Sequence, residues 1–362
     1  MAQTKVWSLM MVLVVALTAA CAEDAEPPEV DAPTEVEEPE TPETPEAPEE
    51  PEEATEPDSV TLTLNWLAGG PQAGFTYAKE LGFYDEENLD VTIQEGQGSV
   101  TTAQLVATGG TEIGFADGMA AMQLRGQGAP VTIVSPILQT NAYATISLAE
   151  TGIESIEDLR GKRVGVQPDG SPGLMLPAIL QAHGLTEDDI DRVDSDPAAL
   201  VPALLQGEVD AILGGADAQA VSIRAEGFET NEQFHADSGA PTIGLSIIVN
   251  DGMIDEAPDV IARFVRASIR GWHAARDNPT AAAQSIADAF PASATDLNQI
   301  VEQLMVDLSV LCAEGADVIG DAPLEVWESS LEIGIDYMGM DPDLPLEEYY
   351  TTEFIPSDAP AC

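Results

Sequence analysis

The residues suited to recognising a ligand stand just after short apolar runs. Asn65-Trp66 ends the run at 60–66. Trp offers a flat stacking face, and Asn offers both a donor and acceptors. Asp117 follows the apolar run 111–116, and Asn141 and Tyr143 follow 130–138. Gly170-Ser171 follows 162–167, and Asp217 follows 209–213. Stacking and hydrogen bonding are the chemistry on offer. His183, His235 and His273 are far apart, and the three cysteines form no cluster, so no metal spacing is present. No catalytic residue and no cofactor are assigned. Each position also has a plainer reading. Trp66 could fill a core and Asn65 a turn, while Asp117 and Asp217 could simply cap helices.

The elements that must place these groups follow from apolar periodicity. Val60, Leu62, Leu64 and Trp66 alternate with polar residues, which predicts a strand. Gly69-Gly70-Pro71 signals a turn, Phe75, Ala78, Leu81 and Phe83 share a helix face, and Val91 and Ile93 start a second strand. Strand, helix, strand is a βαβ unit, so a parallel sheet is expected, with ligands at the carboxyl ends of its strands. Ser99 can cap a helix over 100–108, whose free N–H groups could face a ligand. Asp117 precedes another helix, and 130–138 reads as a buried strand. Residues 144–148 read as a strand leading away, followed by a helical turn at 156–159, a strand at 162–167 and a helix at 174–183. The turn 169–173 lacks the Gly-Lys-Ser/Thr ending of a phosphate loop. A helix over 198–205 and a strand over 209–213 precede the small-residue turn Gly214-Gly215-Ala216-Asp217, where backbone can approach a ligand closely. Residues 242–249 read as a returning strand. Helices follow over 259–277, 280–290, 296–311 and 324–338, with Trp272 and Trp327 as core residues.

Several blocks carry a family resemblance. NWLAGGPQAGFTYAKELGFYDEENLDVTIQEG resembles the opening of the SsuA/THI5/NMT1-like substrate-binding proteins of ABC transporters. QLVATGGTEIGFAD, GIESIEDLRGKRVGVQPDGSPG, ALLQGEVDAILGG, RFVRASIRGWHAARDNP and YYTTEFIP continue it through residue 356. The resemblance implies an α/β, two-lobed periplasmic-binding-protein-like fold, each lobe a mostly parallel sheet flanked by helices. Residues 59–147 with 243–362 would form the first lobe, and 148–242 the second. The ligand cleft would lie between them and close about a hinge. The resemblance adds Gly74 and Phe75 of the AGF block, Ser99, Asp117, Gly170, Ser171 and Asp217 as pocket positions. Its pyrimidine-binding branch implies a thiamine precursor, with Trp66 and Tyr143 stacking and Asn65, Asp117 and Asn141 bonding ring nitrogens. Sulfonate, taurine, nitrate or riboflavin-like ligands are the alternatives. It also implies an ABC permease with its ATPase as partner. The yeast-type relatives are pyrimidine synthases needing a histidine before the AGF block. Here Gln72 stands there, no cysteine cluster exists, and Lys79 lies in the generic AKE helix, so no enzyme is expected.

The N-terminus reads as targeting. Lys5, the apolar run 9–17 and Thr18-Ala19-Ala20 before Cys21 describe a lipoprotein signal over 1–21. Cys21 would be lipidated and would hold the chain to the outer face of the membrane. Residues 22–58, rich in Pro and Glu, have little to bury and read as a disordered tether. Cys312 and Cys362 are then left as an even pair for a disulfide, with two free thiols as the alternative.

The net charge is −53. The tether holds 17 acidic residues and no basic one, leaving 48 of 65 acidic and 11 of 12 basic residues in 59–362. No basic patch can form to neutralise phosphates, so nucleic acid is excluded as a partner. A monomer binding a small molecule is expected, with a surface suited to high salt, where ions screen the self-repulsion. Melting should therefore rise from low to molar salt; equal melting in both would contradict this.

Overall fold

Two five-stranded sheets carry the fold in a computed structural model that describes residues 56–168 and 170–362. The signal, Cys21 and the tether through residue 55 lie outside the described residues. The first sheet uses β1 (Asp58–Thr63), β2 (Leu89–Gln94), β3 (Ile113–Asp117), β4 (Val131–Pro136) and β10 (Leu245–Asn250), in the order β2-β1-β3-β10-β4. The second uses β5 (Tyr143–Leu148), β6 (Arg163–Val166), β7 (Asp191–Asp194), β8 (Ala211–Gly215) and β9 (Thr230–Phe234), in the order β7-β6-β8-β5-β9. In each sheet four strands run one way and one runs against them: β10 in the first and β5 in the second. Each odd strand is the one by which the chain enters from the other sheet. Helices flank both sheets, which makes the fold a two-lobed α/β architecture.

The chain changes sheet at 137–142 and at 235–244. The expected boundary at 147/148 therefore moves: Tyr143–Leu148 pairs with β8 and β9 and belongs to the second sheet. The two crossovers are bonded side by side. Leu138 N–H donates to Leu245 O (3.0 Å), Gly244 N–H to Leu138 O (3.1 Å) and Asn141 N–H to Thr242 O (3.1 Å). Two adjacent connections of this kind are where a hinge between the lobes would lie.

The first core forms around Phe75, which is fully buried and meets Phe115 edge-on at 4.7 Å and Trp272 at 5.9 Å. The helix Ala73–Glu80 comes this close to the helix Pro258–Asp277 because residue 74 is Gly. A Cβ there would lie 2.4 Å from the Trp272 ring. Trp272 and Trp327 are buried as expected. The C-terminal segment returns along the first lobe, with Tyr350 bridging to Ile133 and Ala361 to Val318. Cys312 and Cys362 are bonded to each other, with Cα atoms 5.7 Å apart. Among the described residues no helix is long and apolar enough to cross a membrane.

Candidate functional site

A cleft of about 490 Å³ opens where three segments meet. Its first wall is the loop after β1. Asn65, Trp66 and Leu67 lead into the turn Gly70–Gln72. The strand ends at Thr63, earlier than its alternation suggests, because the chain must turn toward the cleft. Trp66 is consequently 57% exposed, a large aromatic face left at the cleft mouth. Asn65 is partly buried and accepts a hydrogen bond from Gln72 Nε2 at 2.8 Å. Glu95 Oε1 holds the same loop by accepting the Ala68 N–H at 2.8 Å.

The second wall belongs to the second sheet. Tyr143 starts β5, and Gln167 starts the loop beyond β6. Gly170 caps the helix Ser171–Ala182, and its first residues line the cleft. Gly214 and Gly215 end β8, and Asp217 and Gln219 follow it. The third wall, Ser293 to Asp296 with Gln299, Ile300 and Gln303, comes from the start of the helix Leu297–Ser309. It reaches the first wall because residue 70 is Gly: a Cβ there would stand 2.4 Å from the Leu304 nitrogen.

Thus Asn65, Trp66, Tyr143, Gly170, Ser171 and Asp217 are brought to one cavity. The other candidates lie elsewhere. Gly74 and Phe75 are spent on the Trp272 core and do not line the cleft. Asn141 ties the two crossovers together instead: its Nδ2 donates to Thr242 Oγ1 at 3.1 Å and to Ile243 O at 2.9 Å. Ser99 is the first residue of its helix and not the cap, which is Gly98. The Ser99 hydroxyl accepts the Asp117 N–H at 3.0 Å. Asp117 caps the helix Gly118–Gly126 through Ala120 N–H at 3.0 Å, and its other oxygen accepts from Tyr143 Oη at 3.1 Å. Asp117 therefore stands behind Tyr143 rather than in the cavity wall, and connects the two lobes through it.

The electrostatics of the cleft are one-sided. Among the described lining residues there is no Lys, Arg or His. Eight of the arginines are held in ion pairs with carboxylates elsewhere, and Arg276 donates to the carbonyls of Ala361 and Cys362. Of the two acids in the wall, Asp296 is used as a cap, accepting N–H groups of Asn298 and Gln299. Asp217 is partly exposed, yet enough protein surrounds its carboxyl to push its pKa up to about 6. Burial also raises Asp117, against hydrogen bonds from Ala120 and Tyr143, and it raises Tyr143 well above its usual value with help from the Asp117 charge.

Five glutamines, at 72, 167, 219, 299 and 303, complete the lining. None of the five stands out in the sequence as a site residue. Glutamine carries no periodic signal, and the third wall lies more than 200 residues from the first. The cleft thus presents an aromatic face, several amides and one acid. No group of three metal-ligating side chains exists among the described residues.

The sequence matches the NMT1/THI5 like family over residues 71–282. A formylaminopyrimidine-binding protein of Halalkalibacterium halodurans is 25% identical over 61% of this chain and 68% of its own length. A protein of Aspergillus parasiticus named 4-amino-5-hydroxymethyl-2-methylpyrimidine phosphate synthase is 23% identical over 67% of this chain and 74% of its own. Other curated relatives are matched over 50% and 63% of their lengths. The periplasmic aliphatic sulphonate binding protein SsuA of Escherichia coli has the same fold. Its TM-score is 0.55 at 17% identity, covering 69% of this chain and 84% of that one. With the family match running over more than half of its length, the chain belongs to the NMT1/THI5 like family.

Proposed function

We propose that this chain is an extracytoplasmic substrate-binding lipoprotein, anchored at Cys21, that delivers a small heteroaromatic ligand to an ABC permease and its ATPase. The ligand is a thiamine pyrimidine precursor, and the protein acts as a monomer and performs no covalent chemistry. The observation that carries this reading is the cation-free cleft with Trp66 exposed at its mouth. A ring stacked on Trp66, and edged by Tyr143, would turn its nitrogens and amine toward Asp217 and the glutamine amides. Anions such as sulfonate or nitrate would find backbone N–H groups at the start of the helix Ser171–Ala182, but no guanidinium or ammonium among the described residues. Closure about 137–142 and 235–244 would bring the second wall onto the ring.

A melting screen in molar salt tests the reading with hydroxymethylpyrimidine, formylaminopyrimidine, riboflavin, taurine, an alkanesulfonate and nitrate. A pyrimidine at 100 times its dissociation constant should stabilise the fold by roughly 2.7 kcal/mol, and Trp66→Ala should abolish most of that shift. A shift with the sulfonate or nitrate alone would overturn the choice of ligand. A pyrimidine shift that survives Trp66→Ala would overturn the stacking.

A further inference from the structure

The helix Leu297–Ser309 and its cap place Asp296, Ile300, Gln303 and Asp307 along one face, three or four residues apart. The first three line the cleft. Asp307, one turn deeper, is 1% exposed, and neither of its carboxyl oxygens has a hydrogen-bond partner. A carboxylate in that position is costly unless it is protonated or meets a positive charge. Among the described residues the surroundings supply no free cation. The helix packs on the turn Ala216–Ala220, which brings Asp217, and on the helix Val221–Ala225, which brings Arg224. Arg224 is already engaged by Glu302 on the same helix as Asp307 and by Glu232 of β9. The turn Gly70–Gln72 brings no titratable group, and the helix Pro279–Ala289 brings only the exposed Asp288. His235, just beyond β9, is buried with both ring nitrogens unpartnered, and burial pushes its pKa down to about 3, so it is neutral. Burial pushes the Asp307 carboxyl well above the usual carboxylate range, and the charge of Asp217 adds to the effect.

We propose that the cleft takes its ligand through a positively charged nitrogen group set against Asp217, and that Asp307, lying behind, gives up its proton as that charge arrives. This rests on the reading of the cleft as the ligand site. The ligand class is narrowed to cationic nitrogen heterocycles, such as a protonated or quaternised aminopyrimidine. No covalent bond forms in the ligand. The Asp307 carboxyl loses its proton to solvent, and the bound cation, which already faces the Asp217 carboxylate, offsets part of the new charge. A positive charge in the cleft favours the ionised form of both carboxyls. Asp307 acts through Asp217 and is a positioning residue.

Calorimetry at pH 7.5, in buffers of different ionisation enthalpy, tests this with two permanently cationic probes, thiamine and 4-amino-1-methylpyrimidinium. At least one should bind the wild-type protein with release of protons, and Asp307→Asn should abolish that release. Melting provides an arm that needs no ligand. A carboxyl whose pKa is raised on folding stabilises only below its unfolded value and loses that contribution as pH rises through the folded one. The wild type should therefore lose stability relative to Asp307→Asn as pH rises from 6 to 8, with Asp307→Leu as a second variant of similar size. Parallel melting curves across pH would overturn the proposal. So would binding without proton release, release that survives Asp307→Asn, or failure of both cations to bind. Should neutral pyrimidines alone bind, the cation proposal fails and the pyrimidine reading stands. Should sulfonate alone bind, both fail.

Discussion

Replacing Trp272 by Ala is expected to lower the stability of the fold by about 3–5 kcal/mol, the range for a fully buried aromatic truncated in a core. Trp272 has no exposed surface and forms the wall onto which Gly74 is packed. Phe75 meets its ring edge-on at 5.9 Å, and Phe115 lies 6.3 Å away. The cavity left behind would be lined by two helices held at fixed spacing, so little collapse is open to it. The indole nitrogen has no hydrogen-bond partner, so the loss is one of packing alone. Denaturant unfolding in molar salt measures it. A loss below about 1 kcal/mol would mean that the aromatic cluster does not hold the first lobe together.

Removing the Cys312–Cys362 bond by Ser substitution at both positions is the second large effect. The bond closes a loop of sequence separation 50, worth about 4 kcal/mol in the chain-entropy account. The tail should stay in place, because other bonds hold it. Ile319 N–H donates to Pro360 O at 2.9 Å, Cys362 N–H to Asp317 O at 3.0 Å, and Arg276 to the carbonyls of Ala361 and Cys362. The double variant should therefore fold and melt lower, and reductant should do the same to the wild type. The crossover 137–142 is braced from the same region. Gln139 Oε1 accepts the Ala313 N–H at 2.9 Å, and its Nε2 donates to Val318 O at 2.7 Å. Identical melting with and without reductant would contradict the assignment.

Much of this fold is legible from apolar periodicity. The four long C-terminal helices fall within a residue or two of their expected ends, the third stopping at Ser309 and not at 311. The strands missed in the sequence are β7 and β9, the two edges of the second sheet. DRVD and TNEQF have no buried apolar face, and neighbours distant in sequence define them. The cleft loops after β1, β6 and β8 are legible because open α/β sheets place their ligand sites there. Phe75 is not legible as core, since an apolar residue at a helix start reads alike whether it faces a cleft or a packed helix. Asn141 owes its role to Thr242 and Ile243, about a hundred residues later. Asp307 sits inside an ordinary amphipathic pattern, and only its burial singles it out.

The central claim is that a flat heteroaromatic ring settles on Trp66 between the lobes. Trp66 is the exposed tryptophan of the described residues, whereas Trp272 and Trp327 are buried. A titration followed by tryptophan emission in molar salt tests the claim most directly. The account predicts a saturable quench and blue shift with hydroxymethylpyrimidine or formylaminopyrimidine, absent in Trp66→Ala. Emission that stays unchanged with every pyrimidine, or that responds only to taurine or nitrate, would contradict it.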